Sequence, residues 1–217
     1  MDWTAQIDSY CERVDFTFWS EPANAVTNAA FLIAALFVWP MAKLLPGARA
    51  LAIILFLIGL GSFAFHTTAT RWGAMADSLP ILAFILTYIF LASRDFFGLA
   101  GWRPYVLTLG FIPFAAVFTP IFAWVGMGSS AAYAPVPLLI FIYAFLLRHS
   151  APQTARGLAI GAATLCVSIG FRMLDAPICG VFPLGTHFLW HLLNAVMLAH
   201  MIRVYGAHML EGRATLG

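Results

Sequence analysis

Along this chain the apolar positions come in long unbroken runs, and the polar ones mark the gaps between them. Runs such as Leu51–Phe65 show no alternation, so membrane strands with a two-residue period are excluded and helices are predicted. Reading from breaker to breaker places seven spans at 24–42, 49–67, 76–93, 104–124, 131–147, 156–174 and 185–205. Each approaches the ~20 residues a bilayer-crossing helix needs. The connections are short and carry loop punctuation, as at Pro46-Gly47 and Gly126–Ser130. The predicted fold is an all-α polytopic membrane protein, a seven-helix bundle forming a single domain over 1–217. An acidic segment 1–23 precedes the bundle at 24–205, and a short tail 206–217 follows it.

Composition closes off the alternatives. Of 217 residues, 62% are hydrophobic and only 9% charged, against about 25% charged in soluble domains. The few charges also orient the bundle, because short loops rich in Lys and Arg are retained on the cytoplasmic side. Eight of the eleven basic residues, Lys43, Arg49, Arg94, Arg103, Arg148, Arg156, Arg203 and Arg213, fall in alternate loops and the tail. Arg13, Arg71 and Arg172 fall on the other side with Asp2, Asp8, Glu12, Asp15, Glu21, Asp77 and Asp175. The N-terminus is therefore predicted outside and the C-terminus cytoplasmic. Met1–Glu21 is acidic and lacks a basic n-region, so no cleaved signal is expected. Trp19, Trp39, Trp72, Trp102 and Trp124 sit at or beside span ends, where amphipathic rings favour the interface. The basic residues form no cluster, and nucleic acid is excluded as a partner.

Ionisable side chains inside a span are costly, which makes each a candidate functional residue. There are few: Ser62 and His66 late in the second span, Asp77 at the start of the third, and His187, His191 and His200 in the seventh. On the predicted topology His66, Asp77, His187 and His191 all lie near the outer face. His187 and His191 are four apart and share one helix face, a spacing suited to holding one metal ion. His66 would complete a three-histidine set with a fourth position open, the arrangement of catalytic zinc. Ser62 precedes His66 by one turn and points the same way. His200 lies nine residues beyond His191, on the opposite face and about 13 Å deeper, so it is assigned to packing or a local hydrogen bond. His149 and His208 are expected to be solvated. Asp77 suits both a helix cap and a general base. Arg172 and Asp175, three apart, read as a structural ion pair. Cys11 and Cys179 fall on the outer side, while Cys166 is inside the sixth span.

Three stretches of the chain carry a resemblance. Gly61-Ser62-Phe63-Ala64-Phe65-His66 followed by Asp77-Ser78-Leu79-Pro80 resembles the Ser-x3-His-x10-Asp pattern of the alkaline ceramidase family. His187-Phe188-Leu189-Trp190-His191 is similar to that family's His-x-x-Trp-His, and Asp8–Arg13 with Phe18–Asn24 to its N-terminal segment. The matches reach from residue 8 to 191, in order and at one depth.

The resemblance implies a seven-helix zinc amidohydrolase, of the superfamily that includes the adiponectin-receptor-like proteins. It implies His66, His187 and His191 as zinc ligands, Asp77 orienting and deprotonating the water, and Ser62 hydrogen-bonding the oxyanion or the water. It also implies a calcium ion on the N-terminal segment, for which Asp8, Glu12, Asp15, Glu21 and Asn24 are the candidates, since hard cations take clustered oxygens. A bridge between Cys11 and Cys179 is implied in the same way. Ser78 departs from the acidic residue common after that Asp in eukaryotic relatives. The expected substrate is a ceramide-like lipid of the membrane, cleaved to a fatty acid and a long-chain base, with Tyr133 at the same depth as either oxyanion donor or interfacial anchor. Two rivals stand beside this reading: a seven-helix lipid receptor or sensor with structural zinc, and a b-type haem protein using His66 with His191.

Overall fold

A computed structural model describes residues 2–214, with side chains through Glu211; of the predicted tail, residues 215–217 and the Arg213 side chain lie outside that description. Among the described residues there is no strand. The helices are α1 (Pro22–Thr27), α2 (Ala29–Ala42), α3 (Pro46–Thr68), α4 (Arg71–Asp95), α5 (Arg103–Phe122), α6 (Pro135–Leu147), α7 (Pro152–Ile178) and α8 (His187–Ala214).

Proline sets most of the starts. Pro22, Pro46, Pro104, Pro135 and Pro152 each occupy one of the first two helical positions, where the missing N–H costs nothing and φ is already helical. α4 starts instead on a Thr70 cap, whose hydroxyl accepts from the Gly73 amide. The predicted first span is a broken pair, α1 and α2. Thr27 turns its hydroxyl back onto the Ala23 and Asn24 carbonyls, a local bond that competes with the helix ladder at the break.

Among the described residues, six helical segments are long and apolar enough to cross a membrane, the first being α1 with α2. The seventh, α6, differs from the predicted 131–147. It runs thirteen residues, about 20 Å, short of a hydrocarbon core of about 30 Å. Gly126 and Gly128 adopt positive φ, a 3-10 turn occupies Gly128–Ala132, and Pro135 delays the helix. The segment predicted as a tail from 206 is helical instead. There α8 continues through Gly206 against Met41, while the Tyr205 hydroxyl donates to Asp95 Oδ2. His208 is not merely solvated: it pairs with Thr154 Oγ1 and packs on Phe96. His200 bonds the Gly157 carbonyl.

Large apolar side chains such as Ile33, Phe37, Leu109 and Val196 face outward, as a lipid-facing surface requires. Leu51, Leu55, Leu158 and Ile202 fill the centre. The N-terminal segment lies across one end of the bundle as an irregular strap, joined to the α3–α4 turn by Ile7 N–H to Ala69 O and Arg71 N–H to Ala5 O. A Cys11–Cys179 disulfide ties the strap to the connection before α8. Asp175 secures the same corner: Oδ1 accepts from the Thr186 and His187 amides, Oδ2 from the Cys11 amide. Its carboxylate therefore caps α8 rather than pairing with Arg172. Gly185, at φ +66°, makes the approach possible, since a Cβ there would meet Asp175 Oδ1 and Cys11.

Candidate metal centre

At the strap end of the bundle α3 and α8 bring three imidazoles together. His66, His187 and His191 are each buried, and their ligand atoms all lie within 4.8 Å of one another. The partners around them decide which nitrogens point inward. His66 Nδ1 bonds Glu21 Oε2 at 2.6 Å, and His191 Nδ1 bonds Thr27 Oγ1 at 2.9 Å. That leaves Nε2 of His66 and Nε2 of His191 buried without a hydrogen-bond partner, as is Nδ1 of His187. Buried polar nitrogens are rarely left unpaired. Three in one cluster fit a metal with nitrogen ligands, and a carboxylate or hydroxyl holding the second ring nitrogen is the usual support of a ligating histidine. The His66 and His191 rings are 4.7 Å apart and T-shaped, too close to stand on opposite faces of a haem.

Ser62 is buried one turn before His66. Asp77 faces Ser62, with His66 and Arg172 within electrostatic reach. What lets α4 come this close is Gly61, where any Cβ would collide with the Ala76 carbonyl. Gly61→Ala is therefore expected to force α3 and α4 apart at the site. Overpacking of this kind costs about 1–3 kcal/mol, and both the thermal midpoint and any turnover should fall. An unchanged midpoint with unchanged turnover would show that the contact positions nothing.

Two residues at the centre, Tyr10 and Thr27, escaped the sequence reading, and Arg172 takes other partners than it predicts. Tyr10 stacks on the His187 ring, centroids 3.7 Å apart, and burial pushes its hydroxyl pKa up, only partly opposed by Arg172. Arg172 is not paired with Asp175; its Nη1 donates to Ser129 and Ser130, and the guanidinium lies over the Tyr133 and Trp190 rings. Tyr133 packs edge-on against Trp190, which places it beside the centre. Thr27 carried no signal beyond being a hydroxyl in an apolar run. Tyr10 lies inside the quoted N-terminal motif, the one hint that it mattered.

Glu21 does not stand free for a cation. Burial pushes its carboxyl pKa up, yet the hydrogen bond and charge of His66, with Arg13, hold it below its ordinary value. The carboxylate thus stays ionised where it can accept from His66 Nδ1.

From Phe31, Tyr133 and Trp190 an apolar cavity runs past Asn194 toward Tyr143 and Met201, about 16 Å measured along α8. Phe31 and Trp190 also neighbour the rings of His191 and His187, so the histidine cluster adjoins one end of this apolar cavity. The arrangement can hold a metal, a proton acceptor and hydroxyl donors against the polar junction of a molecule with a long apolar tail.

Against known proteins, the family model described as Ceramidase matches residues 2–214. No curated protein matches the chain.

Proposed function

The chain belongs to the ceramidase family, and we propose that it is a zinc-dependent ceramidase, hydrolysing the amide of ceramide-like N-acyl sphingoid lipids to a fatty acid and a long-chain base. The observation that carries this reading is the convergence of three unpartnered histidine nitrogens with Asp77 and Ser62 at the end of an apolar channel. Three histidines suit zinc and leave a fourth position open. Bound there, zinc would polarise the amide carbonyl and lower the pKa of water toward about 7.

The protein's own groups do the rest. Asp77 accepts the proton of the attacking water and returns it to the departing amine. Ser62 donates to the carbonyl oxygen as negative charge develops, with the Tyr133 hydroxyl as a second donor from the channel wall. Glu21 and Thr27 fix the ring orientations of His66 and His191. The channel takes an acyl or sphingoid chain and keeps water away from it. On the topology that the basic loops predict, the reaction faces the extracytoplasmic side, and the substrate arrives from the membrane.

Fatty-acid release from ceramide by the purified protein tests the proposal. Turnover is expected, lost on treatment with a zinc chelator and restored by added zinc. Ceramide binding with no release of fatty acid under any metal condition would reject the enzyme and leave the lipid sensor.

A further inference from the structure

The N-terminal segment carries one expected group that its residues do not fit. Calcium takes six to eight oxygen ligands at about 2.3–2.6 Å. Of the five candidates, Asp8 is exposed, and Asp15 turns Oδ1 to the Thr17 amide and hydroxyl. Glu12 gives both oxygens to the Ala23 and Asn24 amides at the start of α1. Glu21 gives Oε1 to Arg13 and Oε2 to His66 and Asn24 Nδ2. Asn24 Oδ1 is buried with no partner, a single amide oxygen. Among the described residues, no carboxylate group of three gathers as the histidines do.

Where oxygens from separate segments do converge, a guanidinium stands at their centre. Arg13 Nε donates to Glu21 Oε1 at 2.5 Å, Nη1 to the Asp15 carbonyl at 2.9 Å, and Nη2 to the His66 carbonyl at 2.9 Å. The Arg13 and Glu21 side chains are 1% and 3% exposed, so the charge is held out of water and permanently matched. The His66 carbonyl belongs to the last turn of α3, where carbonyls lack helical partners and a cation is favoured. The planar fork thus joins the strap, the entry to α1 and the end of α3.

We propose that Arg13 is the resident cation of this segment, holding by hydrogen bonds what a calcium ion would hold by coordination, and that it positions His66 through Glu21. The chain then neither binds nor needs calcium. A divalent ion entering would have to displace a fixed positive charge and strip three acceptors of their donors. With Oε1 pinned by Arg13, Glu21 presents Oε2 to His66 Nδ1, which keeps His66 Nε2 directed at the metal centre. This second half rests on the zinc reading above; the calcium half does not.

The test uses the full chain in detergent, at constant zinc, with and without about 1 mM calcium, the upper range at which extracellular sites fill. No stoichiometric calcium binding and no rise in thermal midpoint are expected for the wild type. One calcium bound per chain, or a midpoint raised by several degrees, would overturn the proposal whatever the zinc content. Zinc affinity, read by competition with a chromophoric chelator, is expected to fall about 10- to 100-fold in Arg13→Met. Arg13→Lys should recover part of it, keeping the charge but not the fork. Wild-type zinc affinity in Arg13→Met would remove the positioning role. If that variant does not fold, Arg13→Lys and the wild-type calcium measurement still decide. A wild type that holds no zinc at all would instead mark failure of the metal-centre reading.

Discussion

Replacing His66 with alanine is expected to leave the purified protein without zinc and without amide hydrolysis. Its Nε2 is one of three buried histidine nitrogens lacking any other partner, and no fourth His, Cys, Asp or Glu among the described residues joins the cluster. Two histidines cannot supply the three protein ligands of a catalytic zinc. Metal content should drop from about one zinc per chain to near none, with turnover at background. The fold is expected to survive, because Glu21 keeps Arg13 and Asn24 as partners and so is not left as an unpaired buried charge. His191→Ala should behave alike. His200→Ala is the internal control: its imidazole bonds the Gly157 carbonyl, about 13 Å along α8 from His191, and zinc content should be untouched. Elemental analysis showing full zinc in His66→Ala would sink the assignment.

The three-histidine cluster was legible because the membrane makes it so. In apolar spans a histidine is conspicuous, and helical spacing alone puts His187 and His191 on one face. What the spacing could not show was which partner each polar group takes. Arg172 and Asp175 stand at a pairing distance in sequence, yet Asp175 finds two amides at the start of α8 and one on the strap, while Arg172 finds serines and aromatic faces. Glu21 looked like a ligand for a hard cation, and a carboxylate's choice among cation, guanidinium and imidazole is made by tertiary placement. The same holds for α6, whose apolar run predicts a full span although two glycines and a proline shorten the helix.

The strap shows how a segment without regular structure can complete a site built by helices. It supplies Tyr10 against His187, Arg13 behind Glu21, and the disulfide that holds both in register. Its own turns supply a few local hydrogen bonds, as from the Val14 and Asp15 amides to Ser20 Oγ, and the tertiary ties fix it on the bundle. Composition marks the segment as acidic and polar, and that alone suggests a solvated arm. Its hydrogen bonds to Ala69, Asp175 and the His66 carbonyl show instead a wall of the histidine cluster.

Asp77→Asn is expected to keep the metal and lose the rate. The carboxylate is not a member of the three-histidine cluster, so the zinc content should match wild type. The amide is nearly isosteric and can still meet the Ser62 hydroxyl, but it has no basic oxygen to take a proton from water or to return one to the leaving amine. General acid–base groups contribute about 10²- to 10⁴-fold, and kcat for ceramide should fall within that range. The change should appear in kcat rather than KM, because Asp77 is assigned no ground-state contact with the lipid chains. Three readings therefore separate the roles at this centre. Loss of zinc and rate together marks a ligand, loss of rate alone marks the proton carrier, and a rate within about threefold of wild type, well below that range, would return Asp77 to a purely structural place at the α3–α4 crossing.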